Sequence, residues 1–266
     1  MGHGWLMEEE WKATMFTVEE RNRIRDRVLA LASADARVVA GAVVGSLALS
    51  AGDRWSDLDL TFAVSDDVAV ADVLDDWART IGDEFGAVHL FDLASGASLY
   101  RVFLLPGCLQ FDLSFTPASA FGATSPKFRL LFGEAVAKPH LAPPAARELF
   151  GYAVHHALRA RFCIERGRVW QAEYWISGAR DATLDLACLR HNLPARNGRG
   201  YDDLPAAIRD AFQAALVHSL ARDDLLRALA AVIEGLLREA AEMPELAETA
   251  TTLAPQLRAL SADLLA

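Results

Sequence analysis

Two aspartates separated by a single residue stand at the start of a segment whose pattern predicts a β-strand. The segment from Asp57 to Val64 reads D-L-D-L-T-F-A-V, so acidic and apolar residues alternate at its beginning. Side chains at positions i and i+2 of a strand point to the same face, which puts Asp57 and Asp59 side by side. Two carboxylates this close repel each other, and a hard cation such as Mg²⁺ relieves that repulsion. We therefore predict that the pair binds magnesium.

A third aspartate, Asp112, lies in a second segment that predicts a strand, from Cys108 to Phe115. Its neighbours Phe111 and Leu113 are apolar and should face the core, which leaves Asp112 on the opposite face. Beside the first strand, Asp112 would complete a triad that can hold two metal ions. One ion would lower the pKa of an attacking hydroxyl, and the other would support a leaving pyrophosphate. In-line displacement at phosphorus needs little beyond such positioning and charge compensation.

Gly45 and Ser46 stand where a predicted strand, Arg37 to Val44, gives way to a short helical turn. Backbone N–H groups at a helix start are free to bind phosphate oxygens, glycine lets the backbone approach closely, and the serine hydroxyl adds one more bond. Ser56, directly before Asp57, is a second candidate phosphate contact. A glycine-serine pair and an Asp-x-Asp motif also occur by chance, as a turn and a solvated strand edge. The inference therefore depends on the whole constellation.

The order of these residues resembles the nucleotidyltransferase superfamily with the polymerase-beta-like fold. The pattern of that family is an apolar residue before Gly-Gly or Gly-Ser, a spacer that is ten residues long here, the sequence Asp-apolar-Asp/Glu-apolar, and a distant third carboxylate. Gly45 and Ser46 match the first motif, Asp57 and Asp59 match the metal-binding pair, and Asp112 matches the third acid. The resemblance implies magnesium-dependent transfer of a nucleoside monophosphate from an NTP.

The whole chain is similar to the aminoglycoside and lincosamide adenylyltransferases, which join such a domain to a C-terminal helical bundle. The likeness rests on architecture, on length and on the Trp-Ser-Asp-Leu-Asp segment at 55–59. It implies transfer of AMP from ATP, or of another nucleotide, to a hydroxyl of a small antibiotic-like acceptor, with the active site in the cleft between the domains. In those enzymes a carboxylate often acts as general base. Glu173 is the candidate in this chain, and Asp112 is the alternative.

Hydrophobic periodicity predicts an α+β fold, with a mixed-sheet domain in 1–140 and an all-α domain in 141–266. Thr17, three residues before Glu20, predicts a capping box, and Pro106-Gly107 predicts a hairpin turn. In the first domain we predict helices at Thr17–Ala32, Leu47–Ala51 and Val68–Phe85, and strands at Arg37–Val44, Asp57–Val64, Val88–Leu93, Leu99–Leu105 and Cys108–Phe115. In the second we predict helices at Ala145–Arg166, Val169–His191, Ala206–Leu220, Asp223–Ala241 and Leu246–Leu264.

Helical spacing groups several polar residues of the second domain on shared faces. Arg159 and Arg166 share one face with His155, and Glu173 shares a face of the next helix with Arg180. Arg159 and Arg166 are therefore candidates to bind the triphosphate. A solvated helix face with local ion pairs explains these positions equally well.

Composition limits the partners of the chain. The net charge of −10 argues against general nucleic-acid binding, which needs a basic surface, whereas acidic clefts attract cationic acceptors. The longest apolar stretch, Val38 to Leu49, is too short for a membrane span, and the N-terminal residues 1–12 lack the pattern of a secretory signal. Three separated cysteines indicate neither a disulfide framework nor a zinc site. We expect a cytoplasmic protein, with a homodimer as one possible assembly.

Together these observations predict a magnesium-dependent nucleotidyltransferase of adenylyltransferase type with a role in antibiotic resistance. One alternative is a nucleotidyltransferase that modifies a protein or a tRNA, and another is a catalytically silent nucleotide-binding protein. A tRNA acceptor should need a basic face, and minimal nucleotidyltransferases that modify proteins are usually shorter. A silent protein should have lost at least one of the three acids, and all three are present.

Overall fold

The structure of this chain is a computed structural model that describes residues 15–49 and 52–262. The chain divides into two compact units between Leu141 and Ala142. What the predicted domains 1–140 and 141–266 each contribute to function stays a prediction. The described elements of the first unit are α1 (Val18–Ala34), β1 (Val38–Val44), β2 (Leu58–Val64), α2 (Val70–Phe85), β3 (Val88–Ser95), β4 (Ser98–Leu105), β5 (Leu109–Pro117) and β6 (Phe128–Phe132).

Local sequence signals set the start of helix α1 and the turn between β4 and β5. The backbone N–H of Thr17 donates to Glu20 Oε2 at 2.8 Å, and the N–H of Glu20 donates to Thr17 Oγ1 at 3.1 Å. This reciprocal pair is the predicted capping box. The predicted hairpin also forms, and Gly107 in its turn has a φ of 72°, a conformation that favours glycine.

The six strands form one mixed sheet in the order β3-β4-β5-β2-β1-β6. Strands β2 and β5 pair in parallel, and the other neighbouring strands pair antiparallel. The parallel register puts Asp59 opposite Asp112 and Leu60 opposite Leu113. Since the side-chain period of a strand is two, this register brings the two acids to one face of the sheet. The predicted α+β class with a mixed sheet is confirmed.

The face of the sheet that packs against α1 and α2 contains the main core of this unit. Full burial of a side chain of Leu or Phe size contributes about 1.5–3 kcal/mol, so this core orients the central strands firmly. The residues of β2 and β5 that are at most 1% exposed within it are Leu58, Leu60, Phe62, Val64, Leu109, Phe111, Leu113 and Phe115.

The observed secondary structure differs from the prediction in four places. Strand β6 is not predicted by the sequence, because the five residues F-R-L-L-F carry no clear alternation. The helical turn predicted at Leu47–Ala51 begins earlier, as a 3-10 helix over Gly45–Leu49, and residues 50 and 51 lie outside the described residues.

Two helices of the second unit are shorter than predicted. The helix predicted at Ala206–Leu220 ends at Gln213, and further along Asp224 accepts the backbone N–H groups of His218 and Ser219, at 2.7 and 2.5 Å. The helix predicted at Leu246–Leu264 spans Ala247–Ala259, and residues 263 and 264 lie outside the described residues.

The described residues of the second unit form helices around their own core. The helices are α3 (Ala146–Glu165), α4 (Val169–Arg190), α5 (Ala206–Gln213), α6 (Arg222–Ala241) and α7 (Ala247–Ala259). Helix α4 packs against α3 and α6, and α7 packs against α6. Arg161, only 4% exposed, donates to the carbonyl oxygens of Leu260 and Ala262 and so attaches the end of the described chain to α3.

None of the helices in the described part of the chain combines the length and the apolar composition that crossing a bilayer requires.

Asp35, at the C-terminal end of α1, connects three elements of the first unit. Its carboxylate accepts from the Arg37 guanidinium at 2.9 and 2.8 Å and from Trp77 Nε1 of α2 at 2.9 Å. Arg37 also donates to Asp76 of α2 at 2.6 Å. The hydrogen bonds from Arg37 lower the pKa of Asp35 to about 2, and those from Trp77 and the backbone act in the same direction.

We predict that Asp35→Asn destabilises the protein at neutral pH and not in acid. The folded-state pKa of Asp35 is about 2, below the 3.8 of a free carboxyl, so ionised Asp35 stabilises the folded state above pH 4 and loses this effect as the pH falls towards 2. The shift corresponds to about 2 kcal/mol. Urea unfolding at pH 7 and at about pH 2, where most of the effect is lost, measures the difference. Asp67→Asn removes the same charge from an exposed position and is the control. A loss that is equal at both pH values would contradict this prediction.

Candidate active site

The three aspartates predicted from the sequence come together in the first unit. Asp57, Asp59 and Asp112 each offer one carboxylate oxygen, and these oxygens lie within 4.8 Å of one another. All three side chains are only partly exposed. Asp57 directly precedes β2, Asp59 lies within β2, and Asp112 lies opposite Asp59 on β5. The convergence expected from the sequence is therefore present, whereas the role of each acid in metal binding and catalysis stays a prediction.

The apolar neighbours of these aspartates hold the carboxylates on one face. Leu58 and Phe111 are fully buried, and Leu60 and Leu113 are at most 1% exposed. A slip of one residue in the register would move these side chains to the opposite face and bury an acid in their place. The hydrophobic core therefore keeps the carboxylates together despite their mutual repulsion.

The pKa of the Asp112 carboxyl is raised in the folded protein. Burial raises the pKa of its carboxyl above the ordinary value, and the negative charge of Asp57 raises it further. A hydrogen bond from Gln110 Nε2 to Asp112 Oδ1, 2.9 Å long, opposes these effects. Gln110 was missed from the sequence, although its position two residues before Asp112 on one strand puts it on the same face. Such a carboxylate would be stabilised in its ionised form by a bound cation.

Gly45 lies against the Asp59 carboxylate and leaves no room for a side chain. Its φ is 70°, in the left-handed region that favours glycine. A Cβ atom at this position would overlap Asp59 Oδ2. Ser46 follows within the 3-10 helix and is partly exposed. Gly45 therefore stands beside the acidic cluster and Ser46 follows it in the chain, and the role of both residues in binding phosphate stays a prediction.

Ser56 takes part in a turn within the loop that leads to Asp57. Its Oγ accepts from the Asp53 backbone N–H at 3.0 Å and donates to Asp53 Oδ1 at 3.1 Å. The same Asp53 oxygen accepts the backbone N–H of Trp55 at 2.8 Å, which makes an Asx turn. The hydroxyl of Ser56 thus helps to order the loop, and its predicted contact with phosphate stays a prediction.

The buried Arg21 of α1 was also missed from the sequence. Its guanidinium Nη1 donates to the carbonyl oxygens of Asp53 and Ser56, each at 2.7 Å. Helical spacing puts Arg21 on the face of α1 that carries Ile24 and Val28, and the side chain is only 3% exposed. That spacing indicates a buried position and does not identify the carbonyl groups that Arg21 contacts.

The site residues predicted in the second domain lie on α3 and α4. Glu173 Oε1 accepts from Ser177 Oγ at 2.7 Å, within α4. The guanidinium of Arg159 lies 5.8 Å from the centre of the Trp175 ring, and Arg166 follows the last residue of α3 and is exposed. The proposed roles of Glu173, Arg159 and Arg166 stay predictions.

Comparison with known proteins gives little further information. No family model matches the chain, and no curated protein matches its sequence. Among solved structures, the chain is similar to an aminoglycoside 6-adenyltransferase from Bacillus subtilis, with 13% sequence identity over 89% of this chain and 98% of that chain and a TM-score of 0.35.

We predict that Gly45→Ala weakens metal binding more than a comparable substitution elsewhere. The new methyl group would displace the Asp59 carboxylate, and it adds backbone strain of about 1–2 kcal/mol because φ is positive. Gly96→Ala is the matched control, since Gly96 has a φ of 59° and a Cβ there would meet nothing within 4 Å. We expect both variants to lose similar stability, but only Gly45→Ala to lose Mn²⁺ affinity in calorimetric titration. Equal Mn²⁺ affinity in the two variants would refute the role of Gly45.

We predict that Asp112→Asn makes the metal-free protein more stable and largely removes the stabilisation by magnesium. Since burial raises the folded-state pKa of Asp112, its ionisation at pH 7 opposes folding, and the neutral amide should raise the melting temperature in EDTA. A magnesium concentration about 100 times the dissociation constant should stabilise the unchanged protein by about 2.7 kcal/mol. This stabilisation should be largely lost in the variant. A melting temperature that Mg²⁺ leaves unchanged in the unaltered protein would count against a metal site.

Proposed function

We propose that this chain is a nucleotidyltransferase that transfers a nucleoside monophosphate, AMP from ATP, to a hydroxyl of a small molecule. The observation that carries the proposal is the convergence of Asp57, Asp59 and Asp112 beside Gly45. Three partly buried carboxylates form a set of hard oxygen ligands, and burial together with the charge of Asp57 raises the pKa of Asp112. These residues therefore fit Mg²⁺.

In this proposal each candidate site residue of the first unit has a stated role. Asp57 and Asp59 bind Mg²⁺, and Asp112 either completes the ligand set or accepts the proton of the acceptor hydroxyl. Gly45 and Ser46 bind the triphosphate through their backbone N–H groups and the serine hydroxyl. Bound magnesium would make the acceptor hydroxyl more acidic and would neutralise charge on the departing pyrophosphate.

The reaction balances without a further co-reactant. The acceptor oxygen forms a bond to the α-phosphorus, the bond from that phosphorus to the β-phosphate oxygen breaks, and pyrophosphate leaves. The hydroxyl proton passes to a carboxylate. Asp112 is the first candidate for this base and Glu173 is the second, while Arg159 and Arg166 are candidates to hold phosphate oxygens.

The acceptor that we propose is an aminoglycoside- or lincosamide-like antibiotic. Support comes from the resemblance of the 55–59 segment and of the predicted two-domain architecture to the enzymes that modify these antibiotics. The net charge of −10 also agrees with a cationic acceptor.

The test is to incubate the protein with Mg-ATP and a panel of aminoglycosides and lincosamides. We expect release of pyrophosphate and acceptors whose mass has increased by one AMP. Asp57→Ala should lower the rate by about 10²–10³-fold, the usual effect of removing one electrostatic contributor to the transition state. Asp67→Ala removes an exposed acid and should leave the rate unchanged.

Three other outcomes would change the conclusion. Pyrophosphate release without an antibiotic adduct would exclude this acceptor class and direct the search to protein or tRNA acceptors. Binding of ATP without any pyrophosphate release would favour the catalytically silent protein. Turnover that persists in Asp57→Ala would refute the mechanism.

A further inference from the structure

Asp57 differs from the other two acids in how its backbone is held. Asp59 and Asp112 lie within the paired strands, opposite each other in the parallel register. The pairing of β2 with β5 begins at Leu58 and Phe111, so Asp57 stands just outside it. The direction of its carboxylate therefore depends on the loop that precedes β2.

Arg21 of helix α1 anchors that loop. Arg21 Nη1 donates at 2.7 Å to the carbonyl oxygen of Asp53, where the Asx turn begins. The same nitrogen donates at 2.7 Å to the carbonyl oxygen of Ser56, the residue bonded directly to Asp57. Both ends of the turn are thus attached to one guanidinium group.

A buried arginine at this position is unfavourable for helix packing alone. Arg21 is 3% exposed, and its Nε has no hydrogen-bond partner among the described residues. Burial lowers the pKa of Arg21 and the charge of Arg25 acts in the same direction, whereas the charges of Asp53 and Asp57 oppose these effects. An apolar side chain would fill the same face of α1 without the cost of desolvating a charge. The hydrogen bonds to the loop are what the arginine adds.

We propose that Arg21 is a positioning residue that holds the 53–56 turn so that the Asp57 carboxylate meets those of Asp59 and Asp112. This inference rests on the proposed function in one respect, because it treats Asp57 as a metal ligand. Arg21 acts through the backbone of the loop and through Asp57, and it touches no reacting group itself. Residues that orient metal ligands in this way typically change metal affinity by about 10–100-fold when they are replaced.

The experiment compares Arg21→Met with Arg25→Met. Methionine keeps an apolar chain in the buried site and removes the donors. Arg25 stands one helical turn later and hydrogen-bonds to Asn22 and Asp26, so its replacement is a matched control. Mn²⁺ affinity is measured by calorimetry without nucleotide or acceptor, and hydrogen exchange of the backbone amides is measured in the metal-free protein.

We expect Arg21→Met to bind Mn²⁺ about 10–100-fold more weakly, with faster exchange at amides 53–57 and unchanged protection in β2 and β5. Arg25→Met should behave like the unaltered protein. In an Asp57→Asn background, Arg21→Met should cause little further loss, because its effect passes through Asp57. A loss of Mn²⁺ affinity that is equally large in the Asp57→Asn background would overturn the proposal. Unchanged Mn²⁺ affinity and unchanged amide exchange in Arg21→Met would also overturn it.

If Arg21→Met does not fold, Arg21→Lys replaces it. A lysine ammonium is shorter and offers a point charge in place of the guanidinium fork. We expect it to retain the fold and to weaken Mn²⁺ binding by an intermediate factor that also disappears in Asp57→Asn. A factor that persists in Asp57→Asn would overturn the proposal.

Failure of this inference and failure of the proposed function give different results. Mn²⁺ binding that depends on Arg21, without any pyrophosphate release, would refute the transferase and leave the positioning role intact. Pyrophosphate release by Arg21→Met at the magnesium concentration that the unaltered protein requires would refute the positioning role and leave the transferase intact. Where both hold, added magnesium should restore most of the kcat of Arg21→Met. An unchanged protein that binds no Mn²⁺ would overturn both.

Discussion

The candidate site depends on the parallel pairing of two central strands that bring like charges together. Burial raises the pKa of Asp112 and the charge of Asp57 raises it further, so the ionised cluster opposes folding. Burial of the alternating leucines and phenylalanines on the other face outweighs this cost, because a change of register would move those side chains out of the core. The cation affinity that we propose for the cluster is therefore a consequence of where the hydrophobic core puts the strands.

The cluster combines rigid positions with positions set by local backbone geometry. Asp59 and Asp112 are fixed by strand pairing, whereas Asp57 and Gly45 lie just outside the strands. At Gly45 the geometry requires the absence of a side chain, and before Asp57 it requires hydrogen bonds supplied by another element. The site thus depends on the core for two of its carboxylates and on the two flanking loops for the rest.

The predicted features that the structure shows have short-range signals. The spacing of Asp57 and Asp59, the capping box at Thr17 and the alternation around Asp112 each follow from a few neighbouring residues. The bond from Arg21 to the loop joins residues more than thirty positions apart, and no local pattern specifies such a contact. Strand β6 is short, and it joins the sheet by pairing with β1, which is distant in the sequence. Residues on the helices of the second unit carry no pattern that separates substrate contacts from ordinary surface ion pairs.

The order of the strands also affects when the site can form during synthesis. Strands β2 and β5 are neighbours in the sheet, but α2, β3 and β4 lie between them in the chain. The two halves of the acidic cluster therefore meet only after the intervening segment has left the ribosome and closed a long loop, which carries an entropic cost. Until then Asp57 and Asp59 lack the Asp112 carboxylate beside them. A nascent chain that ends before β5 lacks Asp112, one of the three carboxylates that we propose as magnesium ligands.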